Sequence, residues 1–503
     1  MSEAERNRVL RRADWRFLLP DPAPARVLCL AGAELRAACA AIAGRVDDAP
    51  VDGATYDLVV AENPDAESLR RIAASLAPGG ACYTEWTGLA AARASSVRAS
   101  LEGAGLRAAR TVQPWPEVSR ARAWLPTEGA AARRYWRSAV RGTRVRRDQL
   151  RAAAGALRAR AGLHGRIAAL AFGPAADPRP ALLRLAAEAG HAAIGDDLVL
   201  VTLGPRAVGK VVALVPDIDG TPALAIKTAR APEGAVGVAR EAEVLEAVAR
   251  VHDGGMPGVP RVIFRCELAG SPVIGETALA GVPLAATLDA RRYPAMAERV
   301  TAWLAELAAP VREAREPARS RVIAPAFERF TAEFAGVMAT PRLRRAEQVL
   351  RELPELPVAC EQRDFSPWNV FESDKGLVVL DWESGEPDGV PALDLIYFAT
   401  HAAFYLEGAW VSGAYAAAYR AAWSRETAIG RVNHACVTRY LGALGLDPAI
   451  APALRLLAWV IHAHSDYVHR ALDVGGATPS ADQLRTSRFL ALFDAELAEI
   501  ERC

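Results

Sequence analysis

From about Ile194 the sequence is β-rich, and after about Arg291 it becomes mostly helical. The runs LVLVTLG, KVVALVP, ALAIKTA and RVIFRCEL are short, apolar and broken by glycine, proline or charge. Such runs read as β-strands. Strands gathered first and helices afterwards give an α+β arrangement, with a small β-lobe followed by a larger helical lobe. The first 130 residues follow the opposite rule and alternate the two. VLCL (27–30) and YDLVVAEN (56–63) read as strands, PGGACYTEW (78–86) as a turn leading into a third strand, and ELRAACAAIAG (34–44) and 67–76 as helices. That alternation predicts a parallel sheet with helical crossovers.

Between the two lies a helical stretch, 131–190, whose part from Arg133 to Arg166 carries Arg134, Arg137, Arg141, Arg144, Arg146, Arg147, Arg151, Arg158 and Arg160 against the single acid Asp148. An anion or membrane surface would suit it, but the reading preferred is a solvated helical linker. Gly162, Gly165 and GPAADPRP (173–180) interrupt it and mark a boundary. The expected organisation is 1–130, a small α/β domain; 131–190, the linker; 191–285, a β-rich lobe; and 286–503, a helical lobe.

The chain is too long for one ordinary core, with 503 residues, half of them hydrophobic. A net charge of +1 gives no overall reason to expect nucleic acid. No apolar run is long enough to span a bilayer, and the charged start MSEAERNRVLRRADWRF has no signal-peptide core, so the cytoplasm is the expected compartment. The seven cysteines include no CxxC pair, which argues against zinc or a disulfide framework.

The segment that carries chemistry is CEQRDFSPWNVFESDKGLVVLDWESGEPDGVPALDL (360–395). It holds an Asp, an Asn five positions on, and an Asp at the end of a strand-like run. Phosphoryl transfer needs one carboxylate to take or orient the proton of the attacking hydroxyl, and an amide oxygen with a second carboxylate to hold Mg²⁺ against phosphates. Asp364 fits the first role; Asn369 and Asp381 fit the metal roles. Two such oxygen ligands suffice, because Mg²⁺ keeps several waters.

RDFSPWNV followed by LVVLDWE resembles the aminoglycoside phosphotransferase and choline kinase superfamily, over about Val199 to Ile500. The resemblance implies a bilobal protein-kinase-like fold, ATP or GTP as donor, Mg²⁺ as cofactor, and the hydroxyl of a small molecule as acceptor, a sugar, aminosugar or related metabolite. It makes Asp364 the catalytic base, Asn369 and Asp381 the metal ligands, and Asp394 a structural aspartate. The family's motif histidine is Gln362 here and its glycine is Arg363; glutamine can still donate a hydrogen bond in support of the loop. Lys227, in ALAIKTA (223–229), looks like the strand lysine that contacts the α- and β-phosphates. Its implied partner is Glu241 in REAEVLEAV (240–248), with Glu243 as the alternative register. Gly204 and Gly209, in the turn of LVTLGPRAVGKVVAL, would let backbone N–H groups approach phosphates, although a plain hairpin is an equal reading. VIGETALAGVPL resembles the linker between lobes, where backbone groups at Thr277 and Leu279 would bond adenine. HAHSDYVH (462–469) invites a metal reading, but i and i+2 do not share a helix face.

The first 130 residues resemble a degenerate, Rossmann-like class I methyltransferase domain. Only Gly32 survives of the glycine-rich turn that lets a backbone approach a cofactor, and Asp47 and Asp48 are weak candidates for a ribose-binding acid. Such a remnant would serve packing, homodimer formation or acceptor docking. Two other classes of function stay open: a catalytically silent scaffold, and a bifunctional kinase–methyltransferase acting on a glycan.

Overall fold

The computed structural model describes residues 3–88, 93–142, 146–191, 197–202, 204, 206, 208–217, 219–309, 318–473 and 476–502. It divides into two compact units, Met1–Ala242 with Val262–Leu279, and Glu243–Arg261 with Ala280–Cys503.

The first unit is organised by one sheet of twelve strands: β1 (Arg26–Leu30), β2 (Arg45–Asp47), β3 (Tyr56–Glu62), β4 (Leu76–Thr87), β5 (Arg107–Trp115), β6 (Ala123–Pro126), β7 (Arg166–Phe172), β8 (Val199–Val201), β9 (Lys210–Pro216), β10 (Pro222–Ala229), β11 (Val262–Leu268) and β12 (Ser271–Thr277). Their spatial order is β11-β12-β10-β9-β8-β6-β5-β7-β4-β3-β1-β2. The pairs β2–β1, β1–β3 and β3–β4 are parallel, as the alternating pattern predicts. All other pairs are antiparallel.

Two departures from the sequence reading stand out. The stretch 131–190 is not a helical linker alone: RIAALAF folds as β7, inserted between β4 and β5 and buried along all but its first residue. Its unbroken apolar run fits a strand covered on both faces. The arginine-rich helices Ala130–Arg141 and Arg146–Arg160 pack on each other. Trp136 is buried there, edge-on to Trp115 at 4.6 Å, and a Cβ at Gly155 would lie only 2.6 Å from its ring. Of the arginines named above, Arg144 and the side chains of Arg146 and Arg147 lie outside the described residues.

The second departure is the seam. β6 pairs with β8 through Ala123↔Val201 and Trp124↔Leu200, so the α/β region and the β-rich region share one sheet. They also share one core, in which Trp15, Val27 and Tyr83 belong to the same cluster as Trp124, Leu200, Ile226 and Val273. An edge left open at β6 would expose unpaired backbone groups, and β8 covers it.

The second unit is mainly helical, with major helices Tyr293–Ala308, Ala324–Phe334, Thr340–Arg351, Leu393–Leu406, Ala428–Ala443, Ala451–Asp473 and Arg488–Ile500. Its strands are β13 (Val282–Pro283), β14 (Ala359–Glu361), β15 (Val370–Ser373), β16 (Gly376–Val379) and β17 (Glu386–Gly389). They form two small sheets, β13-β15-β16 and β14-β17. No helix among the described residues is long and apolar enough to cross a membrane.

Candidate active site

In the second unit, Asp364 lies in the loop between β14 and β15. The loop is tight: Ser366 N–H donates to Asp364 O at 2.7 Å, and Asn369 N–H to Ser366 O at 2.9 Å. The β15–β16 hairpin then turns the chain back on itself. Its register pairs Val370 with Val379, and Leu380 N–H donates to Asn369 O at 3.0 Å. Asn369 and Asp381 are thereby carried on the two adjoining ends of one hairpin. Asp381 sits at φ +67°, a backbone region that costs a non-glycine residue energy and persists only where its surroundings enforce it.

Gln362 is part of that enforcement. Its side-chain amide donates to Leu380 O at 3.1 Å and Asp381 O at 2.5 Å, while its Oε1 accepts the Asp364 N–H at 2.9 Å. One fully buried glutamine therefore ties the segment bearing Asp364 to the segment bearing Asp381. Asp394, in the first turn of the helix Leu393–Leu406, holds the same loop from behind. Its carboxylate accepts the N–H groups of Gln362 at 2.7 Å and Arg363 at 2.9 Å. This fixes Arg363 at φ +63°, the position where the resembling family has glycine.

Asn369 donates from its amide nitrogen to Asp364 Oδ2 at 2.8 Å and to Asp364 O at 3.0 Å. With the nitrogen committed, the carboxamide oxygen is the atom that a hard cation would take. Burial, then repulsion from Asp381, pushes the Asp364 carboxyl up to about 7, although Asn369 and Tyr397 hydrogen-bond it. Two mutually repelling carboxylates beside an amide oxygen fit a divalent cation by donor type.

The histidine cluster is dispersed. His462 is buried against Tyr397 at 4.1 Å, His464 bonds Glu333 at 2.7 Å, and Asp466 bonds Arg470 at 2.8 Å. No group of three or more His, Cys, Asp or Glu side chains is arranged to hold a metal among the described residues.

In the first unit, Lys227 Nζ lies 2.7 Å from Glu241 Oε1 and 2.5 Å from Glu276 Oε1, and Lys210 Nζ lies 2.8 Å from Glu241 Oε2. The helix register selects Glu241 as the lysine's partner in this structure. Lys210 and Glu276 were not singled out in the sequence. Register explains their presence: Ala225↔Glu276 and Ala229↔Lys210 place both on residues two along from Lys227, on the same sheet face. Burial disfavours the ammonium of Lys227, but Glu241 and Glu276 outweigh it and hold its pKa above the ordinary value. Burial pushes the Glu276 carboxyl up to about 7, and Glu241 adds repulsion; Glu276 Oε2 has no hydrogen-bond partner among the described residues.

Gly204 and Gly209 lie in the turn between β8 and β9, which form a hairpin. Gly204 is exposed with φ +83°, and Gly209 O accepts the Arg230 N–H at 3.0 Å. Thr277 ends β12 opposite Leu224, and Leu279 follows it, both partly buried. At the other end of the sheet, the Gly32 N–H donates to Glu62 Oε2 at 2.8 Å, and Asp47 is paired with Arg26 and Arg45. Asp48 pairs with Arg36 at 3.3 Å.

No family model and no curated sequence matches the chain. Solved structures do match. An aminoglycoside phosphotransferase thermostable mutant, in ternary complex with ADP and hygromycin B, is 15% identical with a TM-score of 0.39; the match covers 63% of this chain and 97% of that one. A choline/ethanolamine kinase family protein from Mesorhizobium loti is 15% identical with a TM-score of 0.41, covering 64% and 98%. An ethanolamine kinase from Plasmodium vivax is 12% identical with a TM-score of 0.37, covering 60% and 82%.

Proposed function

We propose that the chain is an ATP-dependent phosphotransferase that phosphorylates a hydroxyl group of a small molecule. The observation that supports this most is the Gln362 bridge, which joins the loop of Asp364 to the left-handed turn of Asp381, with Asn369 bonded to Asp364. In this reading Asp364 orients the acceptor hydroxyl and takes its proton. Asn369 Oδ1 and the Asp381 carboxylate hold Mg²⁺, and Lys227, kept in place by Glu241, binds the phosphates. The exposed Gly204 offers a backbone N–H to the phosphates, whereas the Gly209 N–H is already donated to Arg206 O at 3.1 Å, and Thr277 and Leu279 offer backbone groups to the adenine. Magnesium, when bound, neutralises phosphate charge and so favours transfer. The acceptor is a sugar, aminosugar or related metabolite, and the use of ATP fits a cytoplasmic site of action.

The test is a phosphorylation screen over a metabolite library, comparing the wild type with Asp364→Asn. The expected result is turnover that falls by roughly two to four orders of magnitude in the variant. Absence of turnover, together with no thermal shift in millimolar ATP and Mg²⁺, would replace the kinase reading with a silent scaffold.

A further inference from the structure

In the helix Leu393–Leu406, Tyr397, His401 and Tyr405 follow one another at a spacing that puts them on one face. Trp368, from the loop that carries Asp364, and Trp410, from the short helix Ala409–Ser412, pack against that face. Between ring centres, Trp368 lies 5.6 Å from His401, 6.2 Å from Tyr405 and 5.5 Å from Trp410. Trp368, Tyr405 and Trp410 are only half-buried, so the rings form an aromatic surface beside Asp364 and not a closed core.

Arg488, the first residue of the helix Arg488–Ile500, borders this surface. Its Cζ lies 5.1 Å from the ring centre of Trp410 and 4.8 Å from that of Phe489. The half-buried guanidinium donates to the Tyr397 hydroxyl, which donates to the Asp364 carboxyl. The two charged groups are thus two hydrogen bonds apart, about 6 Å. Other arginines of the helical unit are paired, Arg455 with Glu496, Arg470 with Asp466 and Arg485 with Asp482. Among the described residues no carboxylate pairs with Arg488. Two ring nitrogens of the cluster are also unmet. His401 Nδ1 donates to Tyr397 O at 2.9 Å, which leaves Nε2 a buried acceptor without a partner, and Trp410 Nε1 is a buried donor without one among the described residues. Such orphans are uncommon in folded chains, and a bound polar molecule accounts for them.

We propose that this surface binds the acceptor and that Arg488 selects one carrying a carboxylate within about 6 Å of its reacting hydroxyl. The proposal rests on the kinase reading of the preceding subsection and narrows its acceptor to a hydroxy acid, setting aminosugars aside. The rings cover the body of the molecule, its hydroxyl reaches Asp364, and its carboxylate reaches Arg488. In transfer the hydroxyl oxygen bonds the γ-phosphorus, the bond from that phosphorus to the bridging oxygen of ADP breaks, and the proton passes to Asp364. A planar guanidinium meets a carboxylate with two parallel hydrogen bonds. One guanidinium balances one negative charge, which suits a carboxylate better than a phosphate dianion beside two acids. An amine in the same place would face a like charge.

The test sorts the phosphorylation screen by acceptor charge. Matched sets are added to the library: gluconate, glucose, glucosamine and glucose phosphate, and the meta-hydroxymethyl derivatives of benzoate, benzamide and benzylamine. The expected result is turnover led by carboxylates. Arg488→Met should raise KM for the best acid about tenfold or more, with kcat changed by no more than about threefold. For the neutral member of the same set, kcat/KM should stay within about twofold of wild type. Arg488→Lys keeps the charge without the fork and should fall between. Equal losses for acid and neutral acceptors would make Arg488 a purely structural residue and overturn the proposal. Wild-type preference for neutral, amine or phosphate-bearing acceptors would overturn it too, with the kinase reading intact. So would a wild type that binds MgATP by calorimetry and turns over no acid. If Arg488→Met does not fold, the wild-type preference and Arg488→Lys decide. A wild type that binds no MgATP would instead remove the kinase reading, and this proposal with it.

Discussion

Replacing Gln362 with leucine keeps roughly the side chain's volume and deletes every hydrogen bond it makes. Three groups lose this partner: the Asp364 N–H and the carbonyls of Leu380 and Asp381. Gln362 is fully buried, so water cannot fill in without rearranging the loop. Leaving a buried polar group unmet costs about 1–3 kcal/mol, and such costs within one network do not add fully. The expected destabilisation is therefore about 2–5 kcal/mol, read as a shift in the urea midpoint at unchanged slope. Amide exchange gives a local reading. The Asp364 N–H should lose protection by more than tenfold, whereas amides in the helix Ala451–Asp473 should change only with global stability. Gln362→His can still donate from one ring nitrogen and accept at the other, so it should lie between wild type and leucine. A leucine variant within about 0.5 kcal/mol of wild type, with unchanged exchange at Asp364, would refute the claim that this side chain ties the two acidic segments together.

Two other perturbations follow from the same geometry. Lys227→Met should reduce phosphoryl transfer by about two to three orders of magnitude. Lys227→Arg should not restore it, because Glu241 and Glu276 enclose a single nitrogen; steady-state kinetics over a range of ATP concentrations decides this. His401 makes the stability of the second unit depend on pH. Its Nδ1 bonds Tyr397 O at 2.9 Å, and burial pushes its pKa down to about 3. The unfolded chain binds this proton near pH 6.5 and the folded chain does not, so the stabilisation is complete above 6.5 and is lost as pH falls toward 3. Wild type should lose about 1.4 kcal/mol more than His401→Phe per pH unit between about 6 and 4. Parallel urea titrations at pH 4, 5 and 6 test this, and identical slopes for the two proteins would show that His401 does not titrate as argued.

The residues around Asp364 were legible because their spacing is local. Asp364, Asn369 and Asp381 fall within one loop and one hairpin, so the sequence interval alone constrains their geometry. Gln362 was legible only as a departure from the resembling motif that kept a donor. That it would span Leu380 and Asp381 depends on the β15–β16 register. β7 was hidden for a different reason. RIAALAF is a plain apolar run next to an arginine-rich helix and a glycine–proline segment, so the breakers on either side read as a boundary. The pairing that makes it a strand comes from β4 and β5, with partner residues as far as 91 positions away.

The four-charge cluster around Lys227 shows where such reading stops. An alternating strand predicts which face Lys227 occupies, and a helix period narrows its partner to Glu241 or Glu243. Neither pattern says which residues of other strands lie beside it. Lys210 and Glu276 reach it only because β9 and β12 flank β10 in one register. A slip of one residue in either pairing would turn its charged side chain to the opposite face. Such a slip would bury a charge without its partner, a loss larger than any strand propensity supplies. The cluster therefore helps to fix the register that builds it, and a charge-removing change at Glu276 should loosen the β10–β12 pairing as well as the lysine.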